Sequence, residues 1–248
     1  MSVIDLQITE NISTVRLSNG VTNAISPQLL QELESALSTV VDESCGLVLA
    51  GGEKFFSIGF DLPTLVDMNR ESFKQFWDQF NRVFFRIYTL PVPTISALEG
   101  HAVAGGAVLS LATDFRIGSR GKKQFGLNEI KLGIPIPYST DLVLRQIAGD
   151  RVATQLAFSG EFVLQENAVA LNLLDDVADP EETLSSAREK MNTLAKNCSP
   201  AFAAIKACRT QPIIREYETW VDDKDKDFLD IWFDPRVQEK LKKAAESF

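Results

Sequence analysis

Histidine is nearly missing from this sequence: His101 is the only one. Cysteine is sparse as well. Cys45, Cys198 and Cys208 are odd in number and show no CxxC spacing, which implies reduced, packed thiols in a cytoplasmic protein rather than a metal centre. Positive charge is in deficit, with 25 Lys and Arg against 34 Asp and Glu and a net charge of −9. That balance disfavours nucleic acid and anionic membrane as partners, because both want a basic face. No apolar run approaches the roughly 20 residues of a membrane span. The opening MSVIDLQITE reads as a strand rather than a basic, apolar leader, so the expected location is cytoplasmic. GxGxxG and GK[ST] motifs are lacking, and with them the usual carriers of nicotinamide and nucleoside-triphosphate chemistry. No metal or redox cofactor is implied.

What the chain does have is apolar mass. Its 248 residues are 45% hydrophobic, enough for a sizeable core in one domain or one and a half. Residues 2–8 and 12–18 alternate around Glu10–Asn11 and predict a β-hairpin. Ser26-Pro27 supplies a cap and a first-turn proline for a helix over QLLQELESALSTVV. GLVLAGG, PVPTISAL and FRIGS read as buried strands, EKFFSIGFDLP as a loop, and GHAVAGGAVLSLAT as a loop running into a small-residue helix. Residues 72–90 predict an amphipathic helix with Phe73, Phe76, Trp77, Phe80, Val83, Phe84 and Ile87 on one face. Strand, loop and helix recur in this order to about residue 180, the signature of an α/β architecture.

Beyond Asp179-Pro180 the pattern is helical only, with breaks expected at Ser199-Pro200, Gln211-Pro212 and Asp234-Pro235. The aromatics of YETWVDDKDKDFLDIWF stand on a highly charged background. Aromatics concentrate at interface cores, so this helix either meets another subunit or packs on its own core.

Two glycine-bearing loops follow buried strands: GGEKFFSIGFDL and EGHAVAGGAVLSL. Glycine lets backbone N–H groups approach a ligand, and two N–H groups aimed at one point stabilise a developing oxyanion. Taken singly, such loops are most often turns. The run QFGLNEIKLGIPIP adds one carboxylate, Glu129, among apolar residues. Glu129 is either a loop or helix-capping charge that reaches water, or a base in an apolar pocket. His101, beside a glycine turn, invites a proton-transfer role but suits a structural one better.

The segments FSIGFDL, GHAVAGGAVLSLATDFRI and QFGLNEIKLGIPIP, with VTNAIS before them, are similar in order and spacing to the crotonase superfamily of enoyl-CoA hydratases and isomerases. The resemblance spans essentially the whole chain. It implies a spiral of repeated ββα units over residues 1–195 carrying the acyl-CoA site. A C-terminal helical oligomerisation region over 196–248 would build a homotrimer or dimer of trimers. It also implies that the backbone N–H groups of Phe60 and Gly105 form the oxyanion hole, with Gly59 and Gly106 shaping their turns. Ser57, Ile58, Gly59, Phe60 and Asp61 would follow the acyl-CoA chain, Ala24 would lie near its nucleotide end, and Asn128 beside the substrate. CoA enters as part of the substrate. Asp61 and Asp114 would hold loops, and the Phe60 ring would line or narrow the acyl pocket. Tyr138 would contact substrate or merely pack. Lys240, Lys242 and Lys243 would reach the CoA phosphates or stay solvated.

Hydratases of this family use two glutamates. Here one position is Glu129 and the other is Val108, which cannot hold or activate water. One carboxylate beside an oxyanion hole suffices to move a proton from C2 to C4, and the resemblance is nearest to Δ3,Δ2-enoyl-CoA isomerases. The alternatives are another crotonase-type reaction (hydratase, decarboxylase or thioester hydrolase) or a non-catalytic acyl-CoA-binding subunit.

Overall fold

The computed structural model describes residues 2–246. Strands β1 (Ile4–Thr9) and β2 (Ile12–Leu17) form the expected hairpin, with Glu10 and Asn11 at positive φ in its turn. Helix α1 (Pro27–Glu43) starts where the sequence says it should: the Ser26 hydroxyl accepts the Leu29 N–H, and Pro27 takes the first helical position. The chain then winds through three turns of strand, strand and helix. The first holds β3 (Leu47–Ala50), β4 (Phe55–Ser57), the short α2 (Leu62–Leu65) and α3 (Arg70–Tyr88). The second holds β5 (Thr94–Leu98), β6 (His101–Val103) and α4 (Gly105–Leu111). The third holds β7 (Phe115–Ser119), β8 (Gln124–Gly126), the short α5 (Glu129–Leu132) and α6 (Tyr138–Ser159). After β9 (Val163–Leu164), α7 (Gln165–Ala170) and β10 (Asp176–Ala178) come the helices α8 (Thr183–Ala195), α9 (Pro200–Trp232) and α10 (Pro235–Ala245).

The first strand of each turn joins a six-stranded sheet, β1-β2-β3-β5-β7-β10, and the second joins a four-stranded sheet, β4-β6-β8-β9. Successive turns pair in parallel, β3 on β5, β5 on β7, β4 on β6 and β6 on β8. Equivalent loops of successive turns are thereby stacked side by side. Two of the segments expected to be loops contain strands, β4 and β6. At three residues each they are too short for alternation to show in a sequence.

The apolar face of α3 is buried as its periodicity requires: Phe73, Phe76, Trp77, Phe80, Val83, Phe84 and Ile87 are at most 3% exposed. The C-terminal aromatics divide between the two readings of that helix. Phe228 stacks on Trp77 at 3.7 Å and Trp232 on Phe73 at 4.1 Å, within the chain's own core. Trp220 and Ile205, on the same helix, remain exposed. The break expected at Gln211-Pro212 is not there, because α9 runs through Pro212. Lys206 and Thr210 before it, and Phe228, Leu229 and Trp232 after it, are buried. Those anchors on both sides offset the lost N–H and the ring clash, which alone cost about 3 kcal/mol.

Candidate active site

Beyond β4 the chain turns sharply at Gly59, whose φ is +101°. Its N–H is held by the buried Ser57 hydroxyl at 3.1 Å. Phe60 then makes a parallel bridge to Ile25. The Ile25 N–H donates to the Gly59 carbonyl at 2.7 Å and the Asp61 N–H to the Ile25 carbonyl at 3.1 Å. Parallel pairing uses the groups on either side of the bridged residue, so the Phe60 N–H points away from Ile25 and has no acceptor among the described residues.

The second loop sits directly against the first. Gly105 opens α4, and N–H groups in the first turn of a helix have no intrahelical acceptor. A Cβ on Gly59 would come within 2.8 Å of the Gly105 nitrogen, and one on Gly106 within 2.2 Å of the Ser57 carbonyl oxygen. Side chains at these two positions would force the loops apart. Between the loops Ala104 holds φ +48° and ψ −128°, a conformation that costs a residue with a Cβ of order 1–3 kcal/mol.

The free N–H of Gly105 borders a cavity of about 370 Å³. Phe60, Phe80, Val108, Leu132, Ile134 and Phe228 supply apolar wall, and Phe55, His101 and Gln124 also line it. Ile58, Asn128 and Glu129 complete the set of proposed site residues that reach it. Ala24, Ser57, Gly59, Asp61 and Gly106 do not line the cavity. Ala24 is buried, its carbonyl accepting from the Asn19 amide at 2.7 Å. Asp61 accepts from the Thr64 hydroxyl at 2.7 Å, and its carbonyl takes the Thr64 and Leu65 N–H groups.

Glu129 is 5% exposed and one of its carboxylate oxygens has no partner among the described residues. Desolvation pushes its carboxyl up to about 7, against a smaller opposing pull from its own backbone N–H. Among the described residues no other acidic side chain lines the cavity, and Val108 is fully buried in its wall. Asn128 carries a second buried, unpartnered oxygen next to it. His101 accepts the Gln124 N–H on Nδ1 at 3.1 Å, which places any ring proton on Nε2. Burial, then Lys123 and Lys54, lower its pKa, so the ring is a neutral element of the wall.

Several residues fall elsewhere. Tyr138 faces α9, with its hydroxyl on Glu216 at 3.3 Å and its ring stacked on Tyr217. Asp114 accepts from the Thr94 N–H and from buried Lys206, joining β5 to α9. Lys240, Lys242 and Lys243 are exposed on α10. The contributions of Phe228 and Ala244 to the cavity were not anticipated. Phe228 is signalled only by the aromatic helix itself and Ala244, on α10, by nothing, since periodicity does not say which cavity a helix end will close.

A paired glycine contact, two free N–H groups and one desolvated carboxylate form a recognisable arrangement. The profile of the enoyl-CoA hydratase/isomerase family matches residues 7–241. The chain belongs to this family. It is 30% identical over 187 residues to the short-chain-enoyl-CoA hydratase of Clostridium acetobutylicum, covering 74% of this chain and 71% of that one. It is 31% identical over 199 residues to the probable enoyl-CoA hydratase EchA17 of Mycobacterium tuberculosis, covering 79% and 76%. Human mitochondrial Δ3-Δ2-enoyl-CoA isomerase superposes with a TM-score of 0.94 over 99% of this chain and 97% of its own, at 22% identity, a likeness of fold. Enoyl-CoA hydratase EchA3 of Mycobacterium ulcerans superposes with a TM-score of 0.85 over 91% and 99%, at 26% identity. The spiral is the crotonase fold, and the protein is a crotonase-type enzyme acting on acyl-CoA.

Proposed function

We infer that this crotonase is a Δ3,Δ2-enoyl-CoA isomerase with Glu129 as its single base. The observation that carries the reading is the solitary, desolvated carboxylate in a largely apolar cavity, with Val108 where a hydratase has its second glutamate. Hydration needs two proton tasks coordinated around a held water. One carboxylate in a dry pocket suits a proton transfer within the substrate.

The thioester carbonyl accepts from the Phe60 and Gly105 N–H groups, which stabilise the negative charge that builds on oxygen. One such donor is worth about 3–4 kcal/mol in the transition state. Glu129 takes a proton from C2 and leaves a dienolate. It then delivers that proton to C4, moving the double bond from position 3 to position 2 with no net gain or loss of atoms. A carboxyl near 7 suits this task, since it is substantially ionised at neutral pH yet basic enough to accept the proton. Ser57 to Asp61 are assigned to the acyl-CoA chain and Ala24 to its nucleotide end, both through backbone shape, and Asn128 to a place beside the substrate.

The test supplies purified protein with 3-enoyl-CoA of short and long chains and follows the conjugated 2-enoyl thioester by absorbance. Conversion is expected from the wild type and not from Glu129→Gln. Absence of conversion at every length, or hydration of 2-enoyl-CoA at a comparable rate, would overturn the assignment. The relatives' hydratase names make that second measurement the decisive companion.

A further inference from the structure

The ring of Phe60 stands beside the point where an acyl chain leaves the two free N–H groups. A Cβ on Gly105 would lie 3.4 Å from Phe60 Cδ1, so an edge of the ring borders the second donor. One residue therefore offers a backbone N–H to the thioester oxygen and a phenyl ring to the carbons that follow.

That ring is held on every packed side. It meets Phe80 edge-on at 4.8 Å and Phe76 at 5.1 Å, centroid to centroid. Trp77 and Trp232 approach at 6.4 and 6.3 Å. Edge-to-face pairs at such separations attract one another. All four partners are at most 3% exposed and belong to α3 and α9, so the ring has no space to swing into. Its backbone is fixed as well, by the bridge to Ile25 and by the Leu62 N–H, which donates to the Phe60 carbonyl at 2.9 Å. A core packed in this way resists any group pushed against it.

We propose that the Phe60 ring is a chain-length stop, which makes this crotonase selective for short- and medium-chain acyl groups. The proposal rests on the thioester carbonyl lying between the Phe60 and Gly105 N–H groups, and not on which reaction follows. The cavity agrees with it. Its volume of about 370 Å³ is near the lower end of the roughly 300–1,000 Å³ of small-molecule sites. Each methylene buried in such a cavity raises affinity about fourfold. A chain that has run into the ring finds no further apolar wall, and its added methylenes bring no such gain. Without the ring, the space it fills would join the cavity, and Phe76, Phe80 and Trp77 would become the new wall.

The experiment measures binding of hexanoyl-CoA and dodecanoyl-CoA to the intact protein by calorimetry. These saturated thioesters have no double bond to move, so affinity is read apart from isomerisation. In the wild type, dodecanoyl-CoA should bind less than about tenfold more tightly than hexanoyl-CoA, whereas full burial of the longer tail would give on the order of a thousandfold. In Phe60→Ala the same ratio should rise by at least about tenfold, the worth of two methylenes. A wild-type ratio above about tenfold, or a ratio that Phe60→Ala leaves unchanged, would overturn the proposal. Should Phe60→Ala fold poorly, Phe60→Leu repeats the comparison with a smaller apolar group, and the wild-type ratio can overturn the stop without any variant. Failure to convert 3-enoyl-CoA with this binding profile intact would remove the isomerase reading alone, and a steep wild-type ratio with conversion intact would remove the length stop alone.

Discussion

At the scale of the residue, burying Glu129 creates both the proposed catalyst and a liability. Its carboxyl moves from 4.5 to about 7, equivalent to about 3 kcal/mol. Below pH 4.5 the group is protonated in folded and unfolded chains alike. Between 4.5 and 7 the folded protein keeps a proton that the unfolded chain has lost, so stability falls as pH rises, levelling off above 7. Glu129→Gln should abolish that slope and stabilise the protein by up to about 3 kcal/mol at pH 8, as read by chemical denaturation. The same variant should lower kcat by about 10²–10⁴. In the wild type, isomerisation should increase with pH and level off above an inflection near 7, because the ionised form is the base. Ala104 offers a separate test. Its φ of +48° with ψ of −128° is glycine territory, so Ala104→Gly should gain about 1 kcal/mol and raise the melting temperature by a few degrees.

At the scale of the element, α9 both packs on the core and reaches the cavity. Phe228 lies face-on to Trp77 at 3.7 Å and lines the cavity. Phe228→Ala should cost about 3–5 kcal/mol and raise KM for acyl-CoA, two effects separable by denaturation and steady-state kinetics. Pro212 acts in the opposite sense. It stands exposed inside α9, where its burden is borne by packing on both sides. Pro212→Ala should stabilise by about 1–2 kcal/mol, once the greater freedom of the unfolded chain is counted. Proline punctuation was a good guide at Pro27, Pro200 and Pro235, each at a helix start. It failed at Pro212 because residues buried on either side of it can outweigh a local cost.

At the scale of the whole molecule, exposed Trp220 and Ile205 on α9 fit the expected homotrimer or dimer of trimers. Sedimentation should give three or six times the 27.5 kDa of one chain, and Trp220→Asp should shift the distribution toward single chains. No helix among the described residues is long and apolar enough to cross a membrane.

Local chemistry in the sequence determined the hairpin, the capped α1, the buried face of α3 and the helical C-terminal third. Each rests on contacts close along the chain or on one clear periodicity. The motifs around Gly59, Gly105 and Glu129 are also legible in the sequence, and Gly105 and Glu129 line the cavity. The three-residue strands β4 and β6 left no trace, because their pairing partners are distant in sequence. Only the tertiary structure set Gly59 against Gly105 and closed the cavity with Phe228. It alone decided that Glu129 would be buried while Tyr138 turned to α9. Desolvation and close backbone approach are properties of what surrounds a residue, and those neighbours are assembled by the winding of the spiral.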